Sequence, residues 1–171
     1  MKSNQEPASF EENSRMGGGK IRFFFSLRPA TVDDDSAIRR LVQIGRINPT
    51  GLDWKRFCVA VTPDGVVIGC GQIKPHMDGS RELASIVVDP AWRGQGVARA
   101  IIDRLLDEHP DDVYLMCRSV LGSFYEKFGF RSLSPGEMPK YFRRISRVAG
   151  LLHALQDEGD SLLVMRREGN A

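Results

Sequence analysis

The amino-acid sequence predicts a mixed α/β sheet with helices on both faces. Three observations carry that expectation. Segments rich in β-branched and aromatic residues alternate with segments of helical periodicity along the 171 residues. The short connection Pro63-Asp64-Gly65 joins two such strand segments and marks a hairpin. A largely apolar strand ending at Val88 runs through Asp89-Pro90 and the glycines Gly94 and Gly96 directly into a helix.

Residues 21–27 (IRFFFSL) read as the first strand. Thr31 can then cap a helix over 32–44, with Asp34 completing an imperfect capping box and Asp33 and Asp35 suiting the positive end of the helix dipole. Ile38, Leu41 and Val42 give that helix its apolar stripe. Residues 45–55 carry Pro49 and Gly51 without periodicity and read as loop or irregular helix. Strands over 56–62 and 66–74 form the hairpin, and a turn around Asp78-Gly79-Ser80 feeds a strand over 82–88. This fourth strand is apolar after Glu82, as suits a strand covered on both faces.

Past the glycine-rich turn, Val97, Ile101, Ile102, Leu105 and Leu106 form a broad apolar helix face that His109-Pro110-Asp111-Asp112 ends. A fifth strand over 113–117, a short helix over 121–128 and a further strand beginning at Phe130-Arg131 follow. Phe142, Ile145, Val148, Ala149, Leu152 and Leu155 give a helical stripe over 140–155, and the last strand covers 161–167.

Composition bounds the function. With 42% hydrophobic and 27% charged residues, the chain belongs to the ordinary globular class. A net charge of +2 does not point to nucleic acid or to an anionic membrane. Cys58, Cys70 and Cys117 are odd in number, lack CxxC spacing and fall among apolar strand residues, so they read as buried small hydrophobes of a reducing compartment. His76, His109 and His153 are scattered without metal-ligand spacing, and no metal is expected. No apolar run reaches the length of a membrane span. Residues 1–19 are mostly polar, contain Glu6, Glu11 and Glu12, and end in Gly17-Gly18-Gly19. They read as a disordered tail preceding one domain over 20–171, in a cytoplasmic protein.

The most informative stretch is 86–98 (IVVDPAWRGQGVA). A strand that passes through a glycine-rich turn into a helix leaves main-chain N–H groups without intrahelical partners, all pointing one way. Their partial positive charge makes an anion site that glycine lets a phosphate approach closely, unless the turn merely needs glycine for its geometry. The spacing is neither the dinucleotide G-x-G-x-x-G nor a nucleotide P-loop, because no Gly-Lys-Ser/Thr follows.

Arg93-x-x-Gly96-x-Ala98 after Val88-x-Pro90 resembles the pyrophosphate-binding signature of the GNAT superfamily of acetyl-CoA-dependent N-acetyltransferases. Phe124-Tyr125-Glu126-Lys127-Phe128-Gly129-Phe130 resembles the same family's downstream helix-to-strand segment, one helix and one strand later. The resemblance extends over about 21–167 and is strongest over 82–131. It implies the GNAT fold, an antiparallel sheet splayed between the fourth and fifth strands.

It also implies direct attack by an amine on acetyl-CoA in a ternary complex. Main-chain groups of Gly94, Gln95, Gly96, Val97, Ala98 and Arg99, in the motif opened by Arg93, would hold the pyrophosphate. Ile86, Val87 and Val88 would place the pantetheine and the acetyl carbonyl. Tyr125 matches the tyrosine that protonates the departing thiolate, or else fills space between helix and sheet. Glu82 resembles the basic glutamate of some members, or else is a strand-end carboxylate paired with Arg81 or Lys74. The asparagine common after the fifth strand is replaced by Arg118-Ser119, and Ser119 would stand in for it.

The resemblance implies an acceptor site built from residues 48–54 and 139–155. Lys140, Arg143, Arg144 and Arg147 there form either a solvated basic face or an attraction for an acidic substrate or the coenzyme's 3′-phosphate. A small-molecule amine such as an amino acid is the favoured acceptor, in a monomer or homodimer with no nucleic-acid or membrane partner. A protein N-terminal or lysine amine, and a non-catalytic acyl-CoA sensor, stay open.

Overall fold

The computed structural model describes residues 24–153 and 161–169, with no side-chain description from 149 to 153. The elements in chain order are β1 (Ser26–Pro29), α1 (Asp35–Ile44), β2 (Phe57–Val61), β3 (Val67–Pro75), β4 (Arg81–Val88), α2 (Val97–Asp107), β5 (Val113–Arg118), α3 (Gly122–Glu126), β6 (Arg131–Ser132), α4 (Lys140–His153) and β7 (Leu162–Arg167). The described strands form one sheet in the order β1-β2-β3-β4-β5-β7-β6. Every adjacent pair is antiparallel except β4 and β5, which run parallel. Among the described residues no helix is long and apolar enough to cross a membrane.

Alternation along the strands sorts the core into two faces. Cys58 and Ala60 of β2, with Val113, Leu115 and Cys117 of β5, join the apolar face of α2. Phe57, Val59 and Val61 of β2 point the other way and pack with Ile38, Leu41 and Val42 of α1. On that second side, further along the sheet, Phe142 of α4 packs with Val164 of β7 and with Tyr114 and Met116 of β5. Helices therefore cover both faces, as the alternation of segments predicts.

Two boundaries differ from expectation. The first strand begins at Ser26 and ends at Pro29, whereas the sequence pattern placed it over 21–27. In the described residues the pairing starts with Ser26 opposite Val61, the last residue of β2 before the hairpin, and residues 21–23 of the expected strand lie outside the described residues. Pro29 is tolerated because β1 is an edge strand. The helix expected over 32–44 divides into a 3-10 turn at Val32–Asp34 and α1 proper. The Asp34 carboxylate accepts the Thr31 N–H at 2.7 Å and the Thr31 hydroxyl at 3.1 Å, the reciprocal half of the expected capping box. The expected tail, 1–19, lies outside the described residues, as do the last residues of the helix expected to reach 155.

Candidate active site

The cleft is made by a strand pair that starts together and separates. Among the described residues, β4 pairs with β5 only at Glu82↔Tyr114, so Glu82 stands at the vertex of the splay. Beyond it the strands diverge, and the β5-facing edge of residues 84–88 opens into a cleft of about 940 Å³. A bulge sharpens the separation. Cys70 lies opposite Val87 and Gln72 opposite Ala84, so the single residue Gly71 faces both Ser85 and Ile86. Ser85 takes φ +57°, a left-handed conformation that a non-glycine residue adopts only when its surroundings impose it. Here the buried Gln72 does so, donating from Nε2 to Ser85 Oγ at 3.1 Å.

Across the mouth, Asp89 accepts the Ala91 N–H at 3.1 Å and stops β4, and a 3-10 turn at Pro90–Trp92 leads to the helix start. Gly94 and Gly96 have φ of +76° and +82°, conformations that glycine adopts without penalty. Gly96 is the N-cap residue of α2, so the first N–H groups of that helix face the cleft, which Gly94, Gly96, Val97, Ala98 and Arg99 line. The helix sits close to the sheet because β3 carries glycine beneath it. A Cβ at Gly69 would lie 2.8 Å from Val97 Cγ1, and one at Gly71 would lie 2.4 Å from Ile86 Cδ1 and 2.9 Å from Ile101 Cγ2.

Ile86, Val87, Val88 and Arg93 also line the cleft, as the motif predicts, and Arg93 Nε approaches the Val88 carbonyl at 3.4 Å. The side chains of Gln95 and Ser119 make local bonds instead. Gln95 Nε2 donates to the Ala91 carbonyl at 3.2 Å, closing the turn on itself. Ser119 ties the exit of β5 to the approach of β7: its N–H donates to the Ser161 carbonyl at 2.7 Å and its Oγ accepts the Ser161 N–H at 3.3 Å. Neither borders the cleft.

Tyr125 lines the cleft from α3, on the α2 face of the sheet, held edge-on between Phe124 at 5.1 Å and Phe130 at 6.1 Å. Burial, and secondarily the Cys117 thiol, push its hydroxyl up to about 12, so it stays a phenol at any ordinary pH. Glu82 enters the same cleft from the opposite, α4, side. Its carboxylate is buried, and neither of its expected partners holds it. Arg81 pairs with Asp111. Lys74 Nζ donates to the Thr50 carbonyl at 3.3 Å. The partner is His76, whose Nε2 lies 2.8 Å from Glu82 Oε2. The arrangement puts a phenol and a carboxyl group at opposite walls of one opening.

Further lining comes from the α1–β2 connection (Arg46, Ile47, Asn48, Thr50), from Gln72 and Lys74 of β3, from the end of β5, and from Tyr141 of α4. Lys140, Arg143, Arg144 and Arg147 instead border a separate groove of about 420 Å³ with Val148. The basic helix face therefore turns away from the main opening, and α4 presents Tyr141 to it. His76, Tyr141 and the Gln72–Ser85 bond were not legible in the sequence, since each acts through a partner brought near by the sheet. Cys58, Cys70 and Cys117 are buried free thiols, in agreement with their apolar surroundings. Among the described residues no group of His, Cys, Asp or Glu could hold a metal.

Comparison with known proteins gives this geometry a family. A family model described as an acetyltransferase (GNAT) domain matches residues 53–132. Over 54 residues the chain is 43% identical to the amino-acid acetyltransferase of Mycobacterium tuberculosis, a stretch covering 30% of this chain and 31% of that relative. The structure of Rv2747 from Mycobacterium tuberculosis, in complex with CoA and NLQ, aligns at TM-score 0.64 and 26% identity over 84% of this chain and 98% of that one. N-acetylglutamate synthase from Neisseria gonorrhoeae, complexed with coenzyme A and L-arginine, aligns at TM-score 0.66 and 19% identity over 86% of this chain but 34% of its own, a likeness of fold. Splayed strands, glycine turn, helix start and matched region agree: residues 53–132 match an acetyltransferase (GNAT) domain, and the chain shares the fold of the solved structure of Rv2747.

Proposed function

We propose that this protein transfers the acetyl group of acetyl-CoA to the primary amine of a small metabolite, most simply an amino acid, by direct attack in a ternary complex. The observation that carries the reading is the open edge of β4, which has Glu82 on one wall, Tyr125 on the other and the start of α2 at its mouth. Main-chain N–H groups from Gly94 to Arg99 receive the paired phosphates, where helix-terminal donors favour negative charge. The edge of 86–88 pairs with the pantetheine arm as an added strand would.

The amine nitrogen attacks the thioester carbon while Glu82 accepts the proton the nitrogen sheds. The C–S bond then breaks, and the departing thiolate takes its proton from the Tyr125 hydroxyl. A positioned acid or base of this kind contributes roughly 10²–10⁴-fold in rate. Arg46 and Lys74 give the acceptor end of the cleft positive charge, which suits an amine that carries a carboxylate. The likeness to the Mycobacterium tuberculosis amino-acid acetyltransferase supports the same class of acceptor.

The test is release of free thiol from acetyl-CoA across a panel of amines, read beside calorimetry of acetyl-CoA binding. Turnover with an amino acid by the wild type, at least 100-fold reduced in Tyr125→Phe with coenzyme affinity retained, supports the reading. Acetyl-CoA binding without an acceptor in the panel points to a sensor, and absence of binding removes the proposal altogether.

A further inference from the structure

His76 follows β3 in the tight turn before β4, and the established members of the cleft do not include it. Its side chain is nonetheless only 5% exposed, and that of Glu82 10%. The contact between them, 2.8 Å from Nε2 to Oε2, has the length of a charge-assisted hydrogen bond. In the tautomer that carries its hydrogen on Nε2, the imidazole donates this bond and the carboxylate oxygen accepts it. The bond engages Oε2, and Glu82 lines the cleft.

The imidazole is itself held on several sides. Its main-chain N–H donates to the Ser80 carbonyl at 2.9 Å. The ring stacks on Tyr141 with centroids 3.5 Å apart and planes 17° from parallel, and meets Phe142 edge-on at 5.6 Å. Such clamping is costly to assemble around a buried polar ring that serves packing alone, because an apolar residue would fill the space without a partner to satisfy.

We infer that His76 is a positioning residue for the acetyl transfer: from outside the cleft it donates to Glu82 Oε2, fixes the carboxylate at the vertex of the splay and holds it ready to accept the proton of the acceptor amine. The inference rests on the reading of Glu82 as the base. Its physical content is that a hydrogen bond to the charged form of an acid favours that form, and favours it more where water is excluded. The other titratable groups facing the pair are Lys74 on β3, Asp78 in the turn, Tyr114 on β5 and Tyr141 on α4. Lys74 is engaged with Thr50, and Asp78 with Ser80 and Tyr141, so His76 is the donor that bonds the Glu82 carboxylate directly.

Two substitutions separate positioning from packing. His76→Phe keeps an aromatic ring to stack on Tyr141 but cannot donate. His76→Gln loses the ring but keeps an N–H at a similar reach. Rates across pH 5.5–9.5 (about four units around neutrality, where carboxylate and amine protonation decide the rate) are compared per molecule competent to bind acetyl-CoA, so misfolded protein is not counted. Positioning predicts that His76→Phe loses about 10-fold or more in kcat and that its acid limb moves to higher pH by about one unit, whereas His76→Gln recovers most of the rate and the wild-type limb. A packing role predicts the reverse order, with Phe the milder change and the pH profile unmoved, and that outcome overturns the inference. Glu82→Gln distinguishes the two levels. If it retains wild-type activity, the base reading itself falls. If it is inactive while His76→Phe superimposes on the wild type, only the role of His76 falls.

Discussion

Asp78 Oδ2 accepts the main-chain N–H of Tyr141 at 2.8 Å, joining the β3–β4 turn to the second residue of α4 across 63 positions of sequence. The same carboxylate accepts the Ser80 N–H at 3.1 Å and the Ser80 hydroxyl at 2.6 Å. One side chain thus shapes the turn that presents His76 and caps the helix that presents Tyr141. The two aromatic rings stack because both ends are anchored to it.

Replacing this anchor has a readable cost. Asp78→Ala is expected to lower stability by about 1 kcal/mol, the usual value of a lost helix cap, with a melting temperature a few degrees lower at neutral pH. The Ser80 hydroxyl first, and then the Tyr141 N–H, hold the Asp78 carboxyl below its ordinary value. The folded form is therefore favoured above the ordinary carboxylate range, and this contribution is lost as pH falls through the lowered value. Thermal melts of wild type and variant should converge toward acid.

Asp34 supplies a second pH-dependent element at the start of α1. The Arg28 guanidinium, at 2.6 and 3.0 Å, holds its carboxyl down at about 2 against the opposing effect of burial, and the Thr31 N–H and hydroxyl assist. Because the folded value lies below the ordinary 3.8, the stabilisation is complete above that value and disappears as pH falls through about 2. Arg28 is partly exposed, which screens the pair, so Asp34→Asn should cost about 1–2 kcal/mol at pH 7 in urea unfolding. A cost unchanged between pH 7 and pH 2 would contradict the assignment.

Gly71→Ala tests whether α2 must sit close to the sheet. The added methyl would meet Ile86 at 2.4 Å and Ile101 at 2.9 Å, and Ile101 is buried and β-branched. Overpacking of this kind costs about 1–3 kcal/mol. Since Ile86 borders the cleft, the expected result is a lower melting temperature together with a several-fold weaker acetyl-CoA affinity by calorimetry. Stability lost without any change in affinity would mean that the helix start does not move with its base.

Gly96→Ala addresses the helix start directly. At φ +82° an L side chain is strained by about 1–2 kcal/mol, enough to turn the first N–H groups of α2 away from their shared direction. Acetyl-CoA affinity should fall about 10-fold, the equivalent of 1.4 kcal/mol, with a smaller change in acceptor KM. Equal loss for both substrates would count against a phosphate-directed role.

Tyr125 makes a prediction about pH and rate. With its hydroxyl pushed up to about 12, the phenol remains protonated across the working range of the enzyme. The kcat of Tyr125→Phe should therefore lie below wild type by a constant factor, roughly 10²–10⁴, from acid to alkaline pH. A wild-type rate that declines toward the Tyr125→Phe rate near pH 9–10 (about the ordinary tyrosine value) would show the hydroxyl ionising far too early for this environment.

The local physics of the chain made much of this legible. Alternation and helical stripes located the buried faces of α1 and α2, because Ile38, Leu41 and Val42, like Val97, Ile101 and Leu105, satisfy a periodicity that neighbours in sequence define. Gly94 and Gly96 marked a turn because positive φ is a property of a single residue. Tyr125 and Glu82 were legible through short motifs. For Ser119 and Gln95 the sequence did not show the side-chain bonds to Ser161 and Ala91 that the structure gives them.

By itself, then, the order of residues determined most of the elements, their buried faces, the glycine turn before α2 and the resemblance to the acetyltransferase (GNAT) domain. Only the tertiary structure decided that Glu82 would sit where β4 and β5 part, that His76 rather than Arg81 or Lys74 would hold it, and that Tyr141 rather than the arginines of α4 would face the opening. The division follows from range. Backbone conformation and amphipathic period are set within a turn or two of chain, whereas the partner of a buried charge is set by sheet register and by a turn docked to a helix 63 positions away.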